Sequence, residues 1–137
     1  FLDGFQTTQG QNDIFIDNDN IIAYTELNFV AIGTFFEVAP INTNDMTHIH
    51  VDINVQEAIQ SGDYIKLQLH NDVGGAETLS FVTIDGSQLA SQEWVGIDIP
   101  LDDFTALAAR NEIGLIFFIS DATISSIYVD NVYYYRE

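Results

Sequence analysis

A chain of 137 residues with 21 acidic and three basic side chains carries a formal charge of −18, which repels phosphate backbones and excludes sequence-general nucleic-acid binding. It is also 47% hydrophobic and 12% aromatic, enough for one packed domain and unlike an acidic disordered segment. Cysteine is absent, so disulfides, thiolate nucleophiles and cysteine zinc sites are excluded, and no apolar run is long enough to insert in a membrane.

Alternation of apolar and polar residues dominates the chain, and helical periodicity is nearly absent. Strands are expected at 13–17, 21–26 and 28–38. At His48–Val55, Ile49, Val51, Ile53 and Val55 point one way while His48, His50, Asp52 and Asn54 point the other. At 64–70, Ile65, Leu67 and Leu69 oppose Tyr64, Lys66, Gln68 and His70. A further strand is expected at 79–84, and at 94–99 Trp94, Gly96 and Asp98 share a face. Ile113–Ile119 is apolar on both sides, as a central strand would be, and Ile127–Tyr135 closes the series with β-branched and aromatic residues. Short helical pieces are expected at 55–60 and at 102–110, the latter capped by Asp102 or Asp103. Turn-forming clusters separate the strands, including Asn18-Asp19-Asn20, Ser61-Gly62-Asp63 and Gly74-Gly75. Many short strands with turns between them predict a single all-β domain, an antiparallel β-sandwich of jelly-roll type spanning residues 1–137. The chain opens on Phe1 with neither Met nor a leader, as an excised module of a longer protein would.

Catalytic constellations are scarce. No G-x-S-x-G, phosphate loop or H-E-x-x-H occurs, and no local arrangement marks two of the 21 acids as a working pair. His48, His50 and Asp52 line one strand face at steps of roughly 7 Å, a donor set that could bind a transition metal in a small all-β enzyme. Structural use of these histidines, bonding backbone or lining a polar face, ranks ahead of that reading. Trp94, the sole tryptophan, sits where a ring could lie on an exposed sheet and stack on a sugar, or could close the core instead. Tyr24, Phe36 and Tyr64 are further candidates for such a platform. One of Tyr133, Tyr134 and Tyr135 must face inward, because adjacent residues of a strand point to opposite sides.

Four stretches in order carry a family resemblance: F-L-D at 1–3, M-T-H-I-H-V-D at 46–52, W-V-G-I-D-I-P-L-D-D-F at 94–104, and I-Y-V-D-N-V-Y-Y-Y at Ile127–Tyr135. Together they resemble the jelly-roll carbohydrate-binding modules of bacterial polysaccharide-degrading enzymes and surface glycan-binding proteins, related to families 4, 16 and 22. The resemblance implies a non-catalytic, monomeric module, secreted or on the outer cell surface, that attaches a parent protein to a polysaccharide. It implies a structural calcium held by Asp130 of the V-D-N stretch and by Asp3, with Asp52 as a further ligand. The chain departs from the family at Leu2, and at Asn54, where members often carry tryptophan. The acidic composition points to a neutral glycan such as a laminarin-like β-glucan, contacted by Trp94, Tyr24, Tyr64, His48, Lys66, Gln68 and His70. A sandwich spacer without glycan affinity is the alternative.

Overall fold

The computed structural model describes residues 10–137, and the described residues form nine strands in two antiparallel sheets. In chain order these are β1 Gly10–Ile16, β2 Asp19–Thr25, β3 Phe29–Gly33, β4 His48–Val55, β5 Tyr64–Val73, β6 Ala76–Asp85, β7 Trp94–Pro100, β8 Ile113–Ile119 and β9 Ile127–Tyr135. One sheet runs β1-β2-β9-β4-β7 and the other β3-β8-β5-β6. This is the expected sandwich, and each expected strand is present. Two hairpins follow from turn chemistry. Asp17 and Asn18 join β1 to β2 with φ of 51° and 68°, and Gly74 and Gly75 join β5 to β6 with φ of 63° and 87°. Positive φ at both central residues gives a turn whose twist matches that of paired strands.

The period of two decides what is buried. Ile49, Val51 and Ile53 of β4, Ile65, Leu67 and Leu69 of β5, and Ile127 and Val129 of β9 all point between the sheets and are fully buried. Phe118 of β8 joins them, its ring centroid 6.5 Å from that of Tyr24. Tyr134 is the inward member of the tyrosine triplet; its hydroxyl is buried without a hydrogen-bond partner, and burial raises its pKa. The apolar β8 lies between β3 and β5 and is covered on both faces.

Three local expectations are corrected. No α-helix forms at 102–110, where only a 3₁₀ turn at Leu101–Asp103 is helical. The backbone N–H of Ala106 donates instead to Ser80 Oγ, and that of Ala108 to Thr78 Oγ1, so β6 takes the hydrogens a helix would use. Residues 55–60 are likewise not helical, since Asp63 Oδ2 accepts the Gln60 N–H. The strand expected over 28–38 stops at Gly33, because Phe35 takes φ of 61° and both Thr34 N and Phe35 N donate to Gly114 O.

β4 and β5 are consecutive in the chain but belong to different sheets. Their outward side chains therefore look to opposite sides of the molecule. That separation governs the candidate site.

Candidate functional site

The seven residues expected to contact a ligand fall into three places. Tyr64, Lys66, Gln68 and His70 lie on the outer face of the four-stranded sheet. His48 and Trp94 lie on the outer face of the five-stranded sheet. The ligand contacts expected together, His48 with Lys66, Gln68 and His70, thus belong to two surfaces on opposite sheets. Tyr24 belongs to neither: it points inward on β2, is only 1% exposed, and is a core residue. Burial, with the nearby Asp13 carboxylate, raises its pKa.

On the four-stranded sheet, strand register builds three rows of outward residues. Phe29, Ile119, Lys66 and Thr83 form one; Ala31, Phe117, Gln68 and Phe81 the next; Gly33, Leu115, His70 and Leu79 the third. The β3–β8 half is covered. Phe35 and Phe36 fold over it from the turn at 34–38, burying Ala31, Leu115 and Phe117 in a small second core. The β5–β6 half is open, with Leu79 47% and Phe81 48% exposed. The step between the halves makes a wall beside an open strip about 20 Å long from Tyr64 to His70.

Hydrogen-bonding groups line that strip. Gln68 Nε2 donates to His70 Nε2 at 2.7 Å, which leaves the ring proton on Nδ1, donated to Glu77 Oε1 at 2.5 Å. The His70 ring also stacks on Phe117, with centroids 4.6 Å apart, so it is fixed from three sides and nearly buried. His70 therefore orients Gln68 and Glu77. At the other end the Tyr64 hydroxyl donates to Asp121, a bond that raises the tyrosine pKa. Lys66 Nζ lies 3.6 Å from Asp121 and sits over the rings of Phe81 at 4.9 Å and Tyr64 at 5.3 Å. Phe81, Leu79, Glu77 and Asp121 are functional candidates that sequence reasoning missed.

The five-stranded sheet presents a different surface. His50 Nδ1 lies 2.7 Å from Asp98 Oδ1, and its Nε2 lies 2.9 Å from Asp52 Oδ1. Burial lowers the His50 pKa, but the bonds to Asp98 and then Asp52 outweigh it and leave the imidazole above its ordinary value. The same His50 bond holds the Asp98 carboxyl below its ordinary value, against a smaller effect of burial. His48 and His50 stack on Tyr135 and Tyr133, with centroids 5.1 and 4.8 Å apart. With both His50 nitrogens engaged, a His48–His50–Asp52 metal centre is not assembled.

The residues expected to hold calcium fit only in part. Asp3 lies outside the described residues. Asp52 and Asp130 face each other across the β4–β9 pair, but Asp52 Oδ1 is taken by His50 and Oδ2 accepts from Asn131 Nδ2. Asp130 is pushed to a higher pKa by burial and by the neighbouring Asp19 and Asp52, although its bond from the Asn131 N–H acts the other way. Among the described residues no group of three or more His, Asp or Glu could hold a metal ion. A cleft of about 450 Å³ lies elsewhere, between the sheets, lined by Ile22, Ile32, Ile116 and Tyr134 among others, and shares no residue with the open strip.

No protein-family model matches the chain, and no curated protein does. Solved structures do. The family 11 carbohydrate-binding module of a cellulosomal cellulase of Clostridium thermocellum superposes with a TM-score of 0.69 over 100% of this chain and 89% of that one, at 12% identity. The chain has the fold of a carbohydrate-binding module. A family 30 module gives a TM-score of 0.73 over 97% of this chain and 76% of its own, at 10% identity. A Clostridium thermocellum family 11 module in complex with a β-1,3-1,4-mixed-linked tetrasaccharide gives 0.63 over 97% and 86%, at 12% identity. The jelly-roll module fold implied by the resemblance is thus observed, while the narrower relation to families 4, 16 and 22 is not confirmed.

Proposed function

We propose that the protein is a non-catalytic carbohydrate-binding module that holds a neutral glycan of the β-glucan class along the open β5–β6 strip. One observation carries this reading: the exposed Phe81 and Leu79 stand directly across from Gln68 and His70, beside the wall raised by Phe35 and Phe36. A pyranose ring has an apolar C–H face and an equator of hydroxyls, so it needs an apolar floor and hydrogen-bonding groups at its edge. Phe81 and Leu79 supply the floor. Gln68, Glu77, Tyr64, Asp121 and Lys66 supply donors and acceptors at fixed places.

Charge supports a neutral ligand. At −18 the chain repels sulfated and uronate polymers, whereas an uncharged glucan meets no such barrier. A module of the same fold holds a mixed-linked β-glucan tetrasaccharide, which supports the same ligand class here. In this reading the module is monomeric and secreted, and attaches a larger protein to a polysaccharide. Affinity electrophoresis of the protein through gels containing laminarin, mixed-linkage glucan, mannan, alginate or carrageenan tests it. Retardation by one or more of the neutral polymers, with free migration through the charged ones, is expected. Retardation by the charged polymers alone overturns the neutral-glycan reading.

A calcium ion bound by Asp130 together with Asp3 is a separate proposal, supported by the V-D-N resemblance and by the carboxylates crowding Asp130. It predicts a melting temperature that falls on adding chelator and recovers with calcium. An unchanged curve removes it.

A further inference from the structure

The outer face of the five-stranded sheet takes no part in the β5–β6 strip, yet it carries two of the protein's exposed rings. Strand register sets its outward residues of β9, β4 and β7 in four rows. These are Tyr128–Asn54–Trp94, Asp130–Asp52–Gly96, Tyr133–His50–Asp98 and Tyr135–His48–Pro100. Rings stand at both ends. Trp94 is 41% exposed and tilts against Tyr128 at 6.4 Å; Tyr133 is 49% exposed and lies 6.0 Å from Tyr135. Four strand positions separate the Trp94 row from the Asp98 row two rows on, about 14 Å.

The row between them contributes no aromatic side chain of its own. Asp130 and Asp52 form its floor, and on the β7 side Gly96 makes room for the edge of the His50 ring and the Asp52 carboxylate, which lie low over the strand. A Cβ at Gly96 would come within 3.1 Å of the His50 ring and 3.2 Å of Asp52 Oδ1, so the position accommodates no larger side chain without displacing them. The result is a trough with aromatic ends and a carboxylate floor. None of the outward residues in these rows is Lys or Arg.

We propose that this trough is a second neutral-glycan site, facing away from the first. Trp94 and Tyr133 stack on two sugar rings of one chain segment, and between them hydroxyls donate to Asp130, to Asp98 Oδ2 and to the second lone pairs of the Asp52 oxygens that already accept from His50 and Asn131. Charge selects the occupant. Carboxylates can only accept, so they suit a ligand made of O–H donors and repel a phosphate, sulfate or uronate. Two sites on opposite faces let one module bridge two polysaccharide chains, and multivalent polymer then binds more tightly than either site alone.

The site stands on residues separate from the strip, and its test keeps the two apart. Trp94 is the sole tryptophan, so its fluorescence reports this face directly. Titrating the full chain with a mixed-linked β-glucan tetrasaccharide is expected to produce a saturable change in tryptophan emission. The change should persist in Phe81→Ala and vanish in Tyr133→Ala, with both variants melting as the parent does. Calorimetry should count two tetrasaccharides per parent protein and one per Phe81→Ala. An unchanged emission while the polymer still retards the protein in a gel overturns the second site and leaves the first standing. An emission change with one bound tetrasaccharide that Phe81→Ala does not alter supports this site and defeats the β5–β6 reading instead.

Discussion

Phe81→Ala is expected to weaken binding of a neutral β-glucan at the β5–β6 strip by about 2 kcal/mol, roughly thirtyfold in dissociation constant, while the melting temperature stays put. Phe81 is half exposed on the edge strand β6 and makes no part of the sandwich core, so truncation removes little packing. Its ring is 48% exposed on the strip and lies opposite Gln68, whose amide is held in place by His70. A sugar ring seated there loses its floor when the phenyl group goes, and the hydrogen bonds at its edge lose their alignment with it. Calorimetry at the strip and thermal melting, run on the same sample, check both halves of this expectation. A large drop in melting temperature would make Phe81 a packing residue.

Tyr24→Ala is expected to do the reverse. The ring is 1% exposed and packs at 6.5 Å from Phe118 in the middle of the core. Removing a buried aromatic ring costs about 3–5 kcal/mol through lost transfer energy and the cavity left behind. Against a total stability of roughly 5–15 kcal/mol, that is a large share, and the melting temperature should fall by about 10 °C or more. Urea unfolding gives the free energy directly. The fraction still folded at low temperature should bind glucan as the parent does, since Tyr24 touches neither outer face. Loss of affinity without loss of stability would return Tyr24 to the list of ligand contacts.

These two residues also show where sequence reading reached and where it stopped. A strand's alternation is a local property, so β4, β5 and β7 and their inward residues were legible from the period alone, and β9 from its β-branched and aromatic composition. Alternation names two faces of a strand and says nothing of which sheet the strand joins. His50 and His70 read alike in the sequence, yet they point to opposite sides of the molecule because β4 and β5 cross between sheets. Tyr24 escaped because β2 has no clean alternation: Ile21, Ile22, Ala23 and Tyr24 are all buried. Phe81 and Leu79 escaped for a related reason, since β6 carries apolar residues on both faces, and only its pairing with Lys66, Gln68 and His70 shows which face is outward. Asp121 follows β8 in a turn with φ of 49°, and no local pattern ties it to Tyr64, 57 residues away. For Trp94 the sequence left an exposed ring and a core ring both open; the structure turns it outward, because Val95, Ile97 and Ile99 mark the other face of β7 as the buried one.

The most direct test of the glycan-binding strip is a nuclear magnetic resonance titration of the isotope-labelled protein with a β-1,3-1,4-mixed-linked glucan tetrasaccharide. Amide and side-chain signals of Gln68, Glu77, Leu79, Phe81 and Lys66 should move together and saturate, with Tyr64 and Asp121 following at the far end. Saturable shifts elsewhere that leave those five residues untouched, or no shifts at millimolar sugar with any neutral glucan, would contradict it.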